Sequence, residues 1–218
     1  MNQAATVRLL QQRITQMQPL RIGETGLPTP AELRPLLPGG ALRAGAATAV
    51  QGSLLLALAL LSEASATGAW CGAIGVPHLG FEAADRVGVR LDRFVVVPHP
   101  ETHTLAVTGM LAEVLSVVLL HPPSNTSPGE VARLTARLRE HGTALVVLGG
   151  WPGSDTSLHA TASRWSGLGS GTGKLEGHEL TVRSIDRRGQ RRHTIRFNEG
   201  RLVPAGLTRL VLPHAAAT

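Results

Sequence analysis

The sequence contains few of the residue types on which several classes of protein depend. Its one cysteine, Cys71, excludes a disulfide scaffold and any zinc or iron–sulfur site built on several cysteines. Three tryptophans, three phenylalanines and no tyrosine give little support to a surface that stacks single-stranded bases. Lys174 is its one lysine. The longest apolar run, residues 54–61, is far shorter than the ~20 residues of a membrane-spanning helix, so we expect no membrane partner.

What the chain does contain indicates a folded domain with a large core. Hydrophobic residues make up 43% of its 218 residues and charged residues 17%, which excludes an intrinsically disordered chain. Arg8 and Arg13 are not followed by an apolar stretch that ends in a cleavage site, so we expect no signal peptide. Together with the low cysteine content, this predicts a cytoplasmic location.

Positive charge is concentrated near the end of the chain. The net charge is +6, and seven arginines lie between Arg183 and Arg201 against two acidic residues, Asp186 and Glu199. Such a density of arginine attracts phosphate backbones, but it also suits an acidic protein partner or a solvated surface in an arginine-rich proteome. The arginines that we predict to contact DNA or a partner are Arg183, Arg187, Arg188, Arg191, Arg192 and Arg196.

The first residues predict a short amphipathic helix that is separate from the core. Val7, Leu10, Ile14 and Met17 recur at helical spacing, and Pro19 ends the pattern. A helix this short is marginal alone and needs a surface to dock on, which is either a partner or its own domain. We assign residues 1–22 to this helix and its linker.

From residue 44 onwards, short apolar runs alternate with helical patterns. Uniformly apolar strands separated by helices are typical of a parallel sheet that is covered on both faces, which predicts an α/β fold. Ser127, Pro128, Glu130 and Gly142 supply complete start and stop signals for the last helix of this part. The predicted strands are 46–50, 69–74, 94–97, 117–120 and 144–148, and the predicted helices before that last one are 53–61, 80–87 and 105–114.

The pattern changes after Trp151. Polar and apolar residues alternate in 158–165, 178–186 and 190–197, and turns that contain glycine separate these stretches. This predicts an antiparallel extension of the sheet, with most of the arginines around its last hairpin. We therefore assign residues 23–204 to one core that includes this extension, and residues 205–218 to a tail.

A phosphate-binding loop cannot be found where a parallel sheet would place one. Lys174 ends the sequence Gly-Ser-Gly-Thr-Gly-Lys, but Leu175 and a predicted strand follow it, where the motif requires Ser or Thr and a helix. The turn after the first strand reads Gln51-Gly52-Ser53, which can cap a helix but has no lysine. We therefore interpret the Lys174 segment as a hairpin turn.

Other catalytic patterns are equally weak. The chain has no G-x-S-x-G nucleophile motif. His99 and His103 are four residues apart, but Pro100 interrupts the helix that a metal pair would need, so we expect structural or exposed histidines and no metal. Cys71 lies within an apolar strand, where we expect a small buried side chain and not a nucleophile.

Two long segments resemble the RecA-type core. They are LPGGALRAGAATAVQGSLLLALALL at 37–61 and AWCGAIGVPHLGFEAADRVGVRLDRFVVVPHP at 69–100. Together with Leu120-His121-Pro122-Pro123, the LVVLG-x-WPG run at 145–153 and R-W-x-G-L-G at 164–169, they are most similar to the ImuA group of RecA-like proteins. Within that group the chain looks like the diverged actinobacterial form, ImuA′. The resemblance implies a RecA-like core over roughly residues 26 to 200.

The resemblance also implies that the family's catalytic groups are missing. The phosphate loop corresponds to Gln51, Gly52 and Ser53, the catalytic glutamate falls near Pro77, and the metal-binding acid falls at His121. Losing all three removes the groups that stabilise charge in phosphoryl transfer. We therefore expect a protein without ATPase activity or a nucleotide cofactor.

The implied role is a non-catalytic adaptor in translesion synthesis during the bacterial SOS response, located at the nucleoid. Its implied partners are ImuB (an inactive relative of Y-family polymerases), an error-prone replicative-type polymerase, RecA and DNA. Two alternatives stay open. One is a functional RecA paralogue that binds ATP or DNA and regulates recombination filaments, and the other is a self-assembling scaffold.

Overall fold

One mixed sheet organises the protein. The structure is a computed structural model that describes residues 26–168 and 173–204. The strand order in this part is β3-β2-β4-β5-β1-β6-β7-β8-β9. The strands are β1 (Ala47–Gln51), β2 (Cys71–Ile74), β3 (Phe94–Val97), β4 (Val117–Leu120), β5 (Ala144–Leu148), β6 (Thr156–Leu168), β7 (Gly173–Asp186), β8 (Gly189–Asn198) and β9 (Arg201–Val203).

The sheet changes from parallel to antiparallel at β6. Strands β1 to β5 pair in parallel, as the apolar runs predict. Strand β6 also runs parallel to β1, whereas β7, β8 and β9 are antiparallel. The predicted antiparallel extension is therefore confirmed from β7 onwards, but its first strand joins the parallel part. This is possible because residues 149–155 cross over β1 and place Thr156 beside Thr48.

Helices cover both faces of the parallel part. They are α1 (Leu54–Ala66), α2 (Phe81–Val87), α3 (Thr104–Leu111) and α4 (Pro128–His141). One hydrophobic core joins α1, α2 and residues 27–42 to the first face of the sheet, and a second core joins the α3 and α4 region to the opposite face. Helix α1 is apolar almost all round, since Leu56 to Leu61 are all buried. The predicted α/β class is confirmed.

The start of α4 follows its predicted capping box. The Ser127 hydroxyl accepts a hydrogen bond from the Glu130 amide, and the Glu130 carboxylate accepts one from the Ser127 amide. The hydrogen bonds from Ser127 hold the pKa of Glu130 below its ordinary value. Gly142 ends the helix with φ 69°, a left-handed conformation that favours glycine.

Two predicted regions lie outside the described residues. The amphipathic helix of residues 1–22, with Val7, Leu10, Ile14 and Met17, is one, and the tail of residues 205–218 is the other. Both assignments, and the boundaries at 22 and 204, stay predictions. Across 26–168 and 173–204, no helix combines the length and apolarity needed to cross a membrane.

Candidate functional site

Ser53, in the turn between β1 and α1, caps the helix. The Ser53 hydroxyl accepts a hydrogen bond from the Leu56 amide at 3.1 Å. Gly52 has φ 82°, and a Cβ at this position would lie 3.1 Å from the carbonyl oxygen of Ala160 in β6. The turn is thus short, and β6 packs directly against it. A phosphate-binding loop instead wraps around its ligand and adds a lysine.

Pro77 and His121, which the sequence resemblance pairs with catalytic acids, lie at the same edge of the sheet. His121 follows β4, and its amide donates a 2.9 Å hydrogen bond to the carbonyl of Ile74 at the end of β2. Pro77 comes three residues after Ile74, and both Pro77 and His121 are exposed. The carboxyl ends of parallel strands, where open α/β sheets bind ligands, therefore carry a proline and an imidazole here, and neither supplies the carboxylate oxygens that Mg²⁺ prefers.

The Lys174 segment forms part of a hairpin, as predicted. Strand β7 begins at Gly173, so Lys174 is followed by a strand and not by the helix that a phosphate loop requires. Strands β6 and β7 pair in antiparallel register from Thr156 and Asp186 out to Leu168 and Gly173. Lys174 therefore lies on a strand of this hairpin.

The six predicted arginines do not form one cluster. Side chains alternate between the faces of a strand, so the register assigns them to three places. Arg191 shares its face with the buried residues Ile195 and Phe197, and it forms an ion pair with Asp186. Arg187 and Arg188 form the turn at the tip of the hairpin, where both are exposed. The other three, Arg183, Arg192 and Arg196, lie on the opposite face of the sheet.

That opposite face of β6 to β8 carries a row of polar side chains, which we call the open face. Gln51, His159, Arg183 and Arg192 are direct register partners across β1, β6, β7 and β8. Neighbouring strands lie about 4.8 Å apart, so the row runs across roughly 15 Å of sheet. Where α3 and α4 cover β1 to β5 on this side, the described residues place no helix over β6 to β8.

A second row on the open face includes an arginine that the sequence did not single out. Arg164 lies opposite Glu179, which lies opposite Arg196. Glu179 accepts a 2.9 Å hydrogen bond from Arg196. Arg164 was missed because it precedes the arginine-rich stretch by many residues, and only the strand register brings it to the same face. The open face is thus basic, with Glu179 as the acid placed between two arginines.

Cys71 is buried in β2 and is not activated. Burial raises the pKa of its thiol to about 12, while a hydrogen bond with the Ser65 side chain lowers it to a smaller extent. The thiolate is the reactive form, so almost none exists at neutral pH. We expect iodoacetamide to leave the native protein unlabelled from pH 7 to 9 and to label it rapidly in guanidinium chloride. Labelling of the native protein at the denatured rate would contradict this placement.

The two histidines that the sequence analysis considered as a metal pair lie at the surface. His99 and His103 are both exposed, and His103 ends a short 3-10 turn. Within 26–168 and 173–204, no three side chains of His, Cys, Asp or Glu come together in a way that could hold a metal ion.

These features define an α/β protein with a central, mostly parallel sheet, a closed β1–α1 turn and an antiparallel extension with one basic face. The model of one family, the MT3502 N-terminal domain, matches residues 35–153, more than half of the sequence. The chain belongs to this family. No curated protein matches the chain. The matched range ends before β6, so apart from Gln51 the rows of the open face lie beyond it.

Proposed function

We propose that this protein is a non-catalytic, RecA-like adaptor of the complex that carries out damage-induced mutagenesis. The proposal rests on the resemblance to the ImuA group, in particular ImuA′. The order of strands and helices in the core agrees with that resemblance. In support, β1 lies in the interior of the sheet and leads through Gly52 and Ser53 directly into the buried helix α1. This is the position of the phosphate loop in nucleotide-binding sheets of this type.

The observation that carries the non-catalytic part is the closed β1–α1 turn. The Ser53 hydroxyl is engaged with the Leu56 amide, and the Ala160 carbonyl lies against Gly52. Phosphoryl transfer needs backbone amides and a lysine around the phosphates, together with an acid that holds Mg²⁺. Here Gln51, Pro77 and His121 stand where such groups would act. The fold then serves as a rigid platform that presents surfaces to partners.

The proposed protein partners are ImuB, RecA and the error-prone polymerase, and DNA is the proposed ligand of the open face. Few aromatic side chains and several arginines favour contact with the sugar–phosphate backbone over stacking on bases. No nucleotide cofactor is part of the proposal. The predicted helix of residues 1–22 is proposed as a second contact with a protein partner.

Partner capture tests the adaptor role. We expect immobilised protein to retain purified ImuB or RecA equally well with and without Mg·ATP. Deleting residues 1–18, or replacing Arg187, Arg188 and Arg192 by alanine while Arg191 keeps its ion pair with Asp186, is expected to abolish this retention. ATP turnover that is lost when Gly52 or Ser53 is replaced would refute the non-catalytic proposal, and undiminished capture by both variants would refute the proposed surfaces.

A second candidate is a RecA paralogue that binds ATP or DNA and controls recombination filaments. The basic rows of the open face favour its DNA-binding part. It differs from the adaptor in one measurable respect, because its affinity for DNA should rise when Mg·ATP is added. DNA affinity that is the same with and without nucleotide supports the adaptor.

A further inference from the structure

A cleft opens on the side of the sheet opposite to the open face. It lies between α2 and the distal part of the β6–β7 hairpin and has a volume of about 250 Å³. Small-molecule sites usually measure about 300–1,000 Å³, so this cleft is sized for one or two large side chains. Its apolar lining consists of Leu55, Ala83, Trp165, Leu175 and Phe197.

An aromatic stack forms one wall of the cleft. The rings of Trp165 and His178 are parallel within 2°, with centroids 3.8 Å apart, and the Phe197 ring lies 5.9 Å beyond His178. Trp165 is nevertheless 53% exposed and Leu175 47% exposed. Large apolar side chains left this open around a concave site are typical of anchor points for a partner.

His178 adds buried polar atoms to the cleft. The residue is only 8% exposed, and its Nδ1 has no hydrogen-bond partner among the described residues. Its Nε2 lies 2.8 Å from the Ser163 hydroxyl. Burial lowers the pKa of His178, so the ring is neutral at pH 7 and its stacking face carries no competing positive charge.

Charged side chains line the rim of the cleft. Glu82, Glu176 and Glu199 lie there together with Arg86, which forms a 2.6 Å ion pair with Glu82. Glu176 is exposed and lines the same cleft as the open indole of Trp165. A carboxylate and an indole face in one cleft attract a cation and disfavour a phosphate.

We propose that this cleft binds a segment of a protein partner in which an arginine adjoins a large apolar side chain. The apolar side chain packs between Leu55, Leu175 and Phe197, while the guanidinium lies over the exposed face of Trp165 and pairs with the Glu176 carboxylate. Arginine suits this site better than lysine because its planar group stacks on indole and binds carboxylates in bidentate fashion. The inference concerns a different surface from the open face and does not depend on DNA binding there.

The test uses short fluorescent peptides and the full chain. A peptide that alternates leucine and arginine is expected to bind, whereas the same peptide with glutamate in place of arginine is expected not to bind. Glu176→Lys and Trp165→Ala should each weaken binding by about tenfold or more. Glu140→Lys is the matched control, since it makes the same charge change at an exposed position of α4 on the other side of the sheet.

Three outcomes would overturn the proposal. Equal binding of the glutamate peptide would remove the charge argument, and equal weakening by Glu140→Lys would reduce the effect to net charge. If the peptide binds only after residues 205–218, which include Arg209 and Leu210, are removed, the chain's own tail is the ligand and not a partner. Should Trp165→Ala fail to fold, Glu176→Gln carries the test, because Glu176 is exposed.

Discussion

Replacing Arg183 and Arg192 together by alanine is expected to weaken duplex DNA binding by roughly tenfold to a hundredfold at physiological salt. The two side chains are register partners on the open face, in the same row as Gln51 and His159. Each arginine that neutralises one phosphate releases counterions. The slope of log affinity against log salt should therefore fall by about two when both are removed.

Matched control variants distinguish an effect of the open face from an effect of net charge. Arg133→Ala with Arg139→Ala removes the same charge from exposed positions on α4, and we expect at most a small change in DNA affinity. Arg191→Ala is more informative, because it lies in the same strand as Arg192 but on the covered face. We expect it to leave the salt slope unchanged. Fluorescence anisotropy at several salt concentrations makes these measurements. Equal losses in all three variants would contradict the surface proposed here.

The parallel core could be predicted from the sequence because its signals are local. Strand β4 is the run Val117–Leu120, fully buried, and only a strand covered on both faces tolerates such a run. The ends of α4 follow equally local rules, from the Ser127 capping box to Gly142. Predicted and observed strand ends here agree within a few residues.

The faces of the arginines could not be predicted, because they depend on register between distant segments. The β6–β7 pairing shifts at a bulge between Ala160 and Ala162, and such a shift reverses the side-chain alternation relative to the partner strand. Without the pairing, Arg164 and Arg191 cannot be assigned to opposite faces. The cleft could not be predicted for the same reason, because the residues that line it are spread along the chain from Leu55 to Gly200.

The two candidate surfaces lie mostly on strands that follow the residues matched by the family model. The match to the MT3502 N-terminal domain ends at residue 153, whereas the rows of the open face and the aromatic stack lie on β6, β7 and β8. The core contributes α2 to the rim of the cleft and Gln51 to the end of one row. Such an arrangement suits the proposed adaptor, because the core fixes how the open face and the cleft are oriented on the two sides of one sheet.

Removing the Asp186 carboxylate is expected to destabilise the protein by about 2–4 kcal/mol. Its side chain is only 2% exposed, accepts a 2.8 Å hydrogen bond from the Arg188 amide and pairs with Arg191. The Asp186→Ala variant leaves the Arg188 amide without its partner and the half-buried Arg191 guanidinium uncompensated. The turn of the β7–β8 hairpin thereby loses the two contacts that this carboxylate makes.

Urea denaturation of Asp186→Ala measures this loss. Asp85→Ala is the control, because Asp85 is an exposed aspartate of α2. We expect the control to change the free energy of unfolding by about 0.5 kcal/mol or less. Replacing Arg191 by methionine in the Asp186→Ala background should recover part of the loss, since it removes the uncompensated charge and keeps the packing. A destabilisation no larger than that of Asp85→Ala would mean that the hairpin holds its shape without this carboxylate.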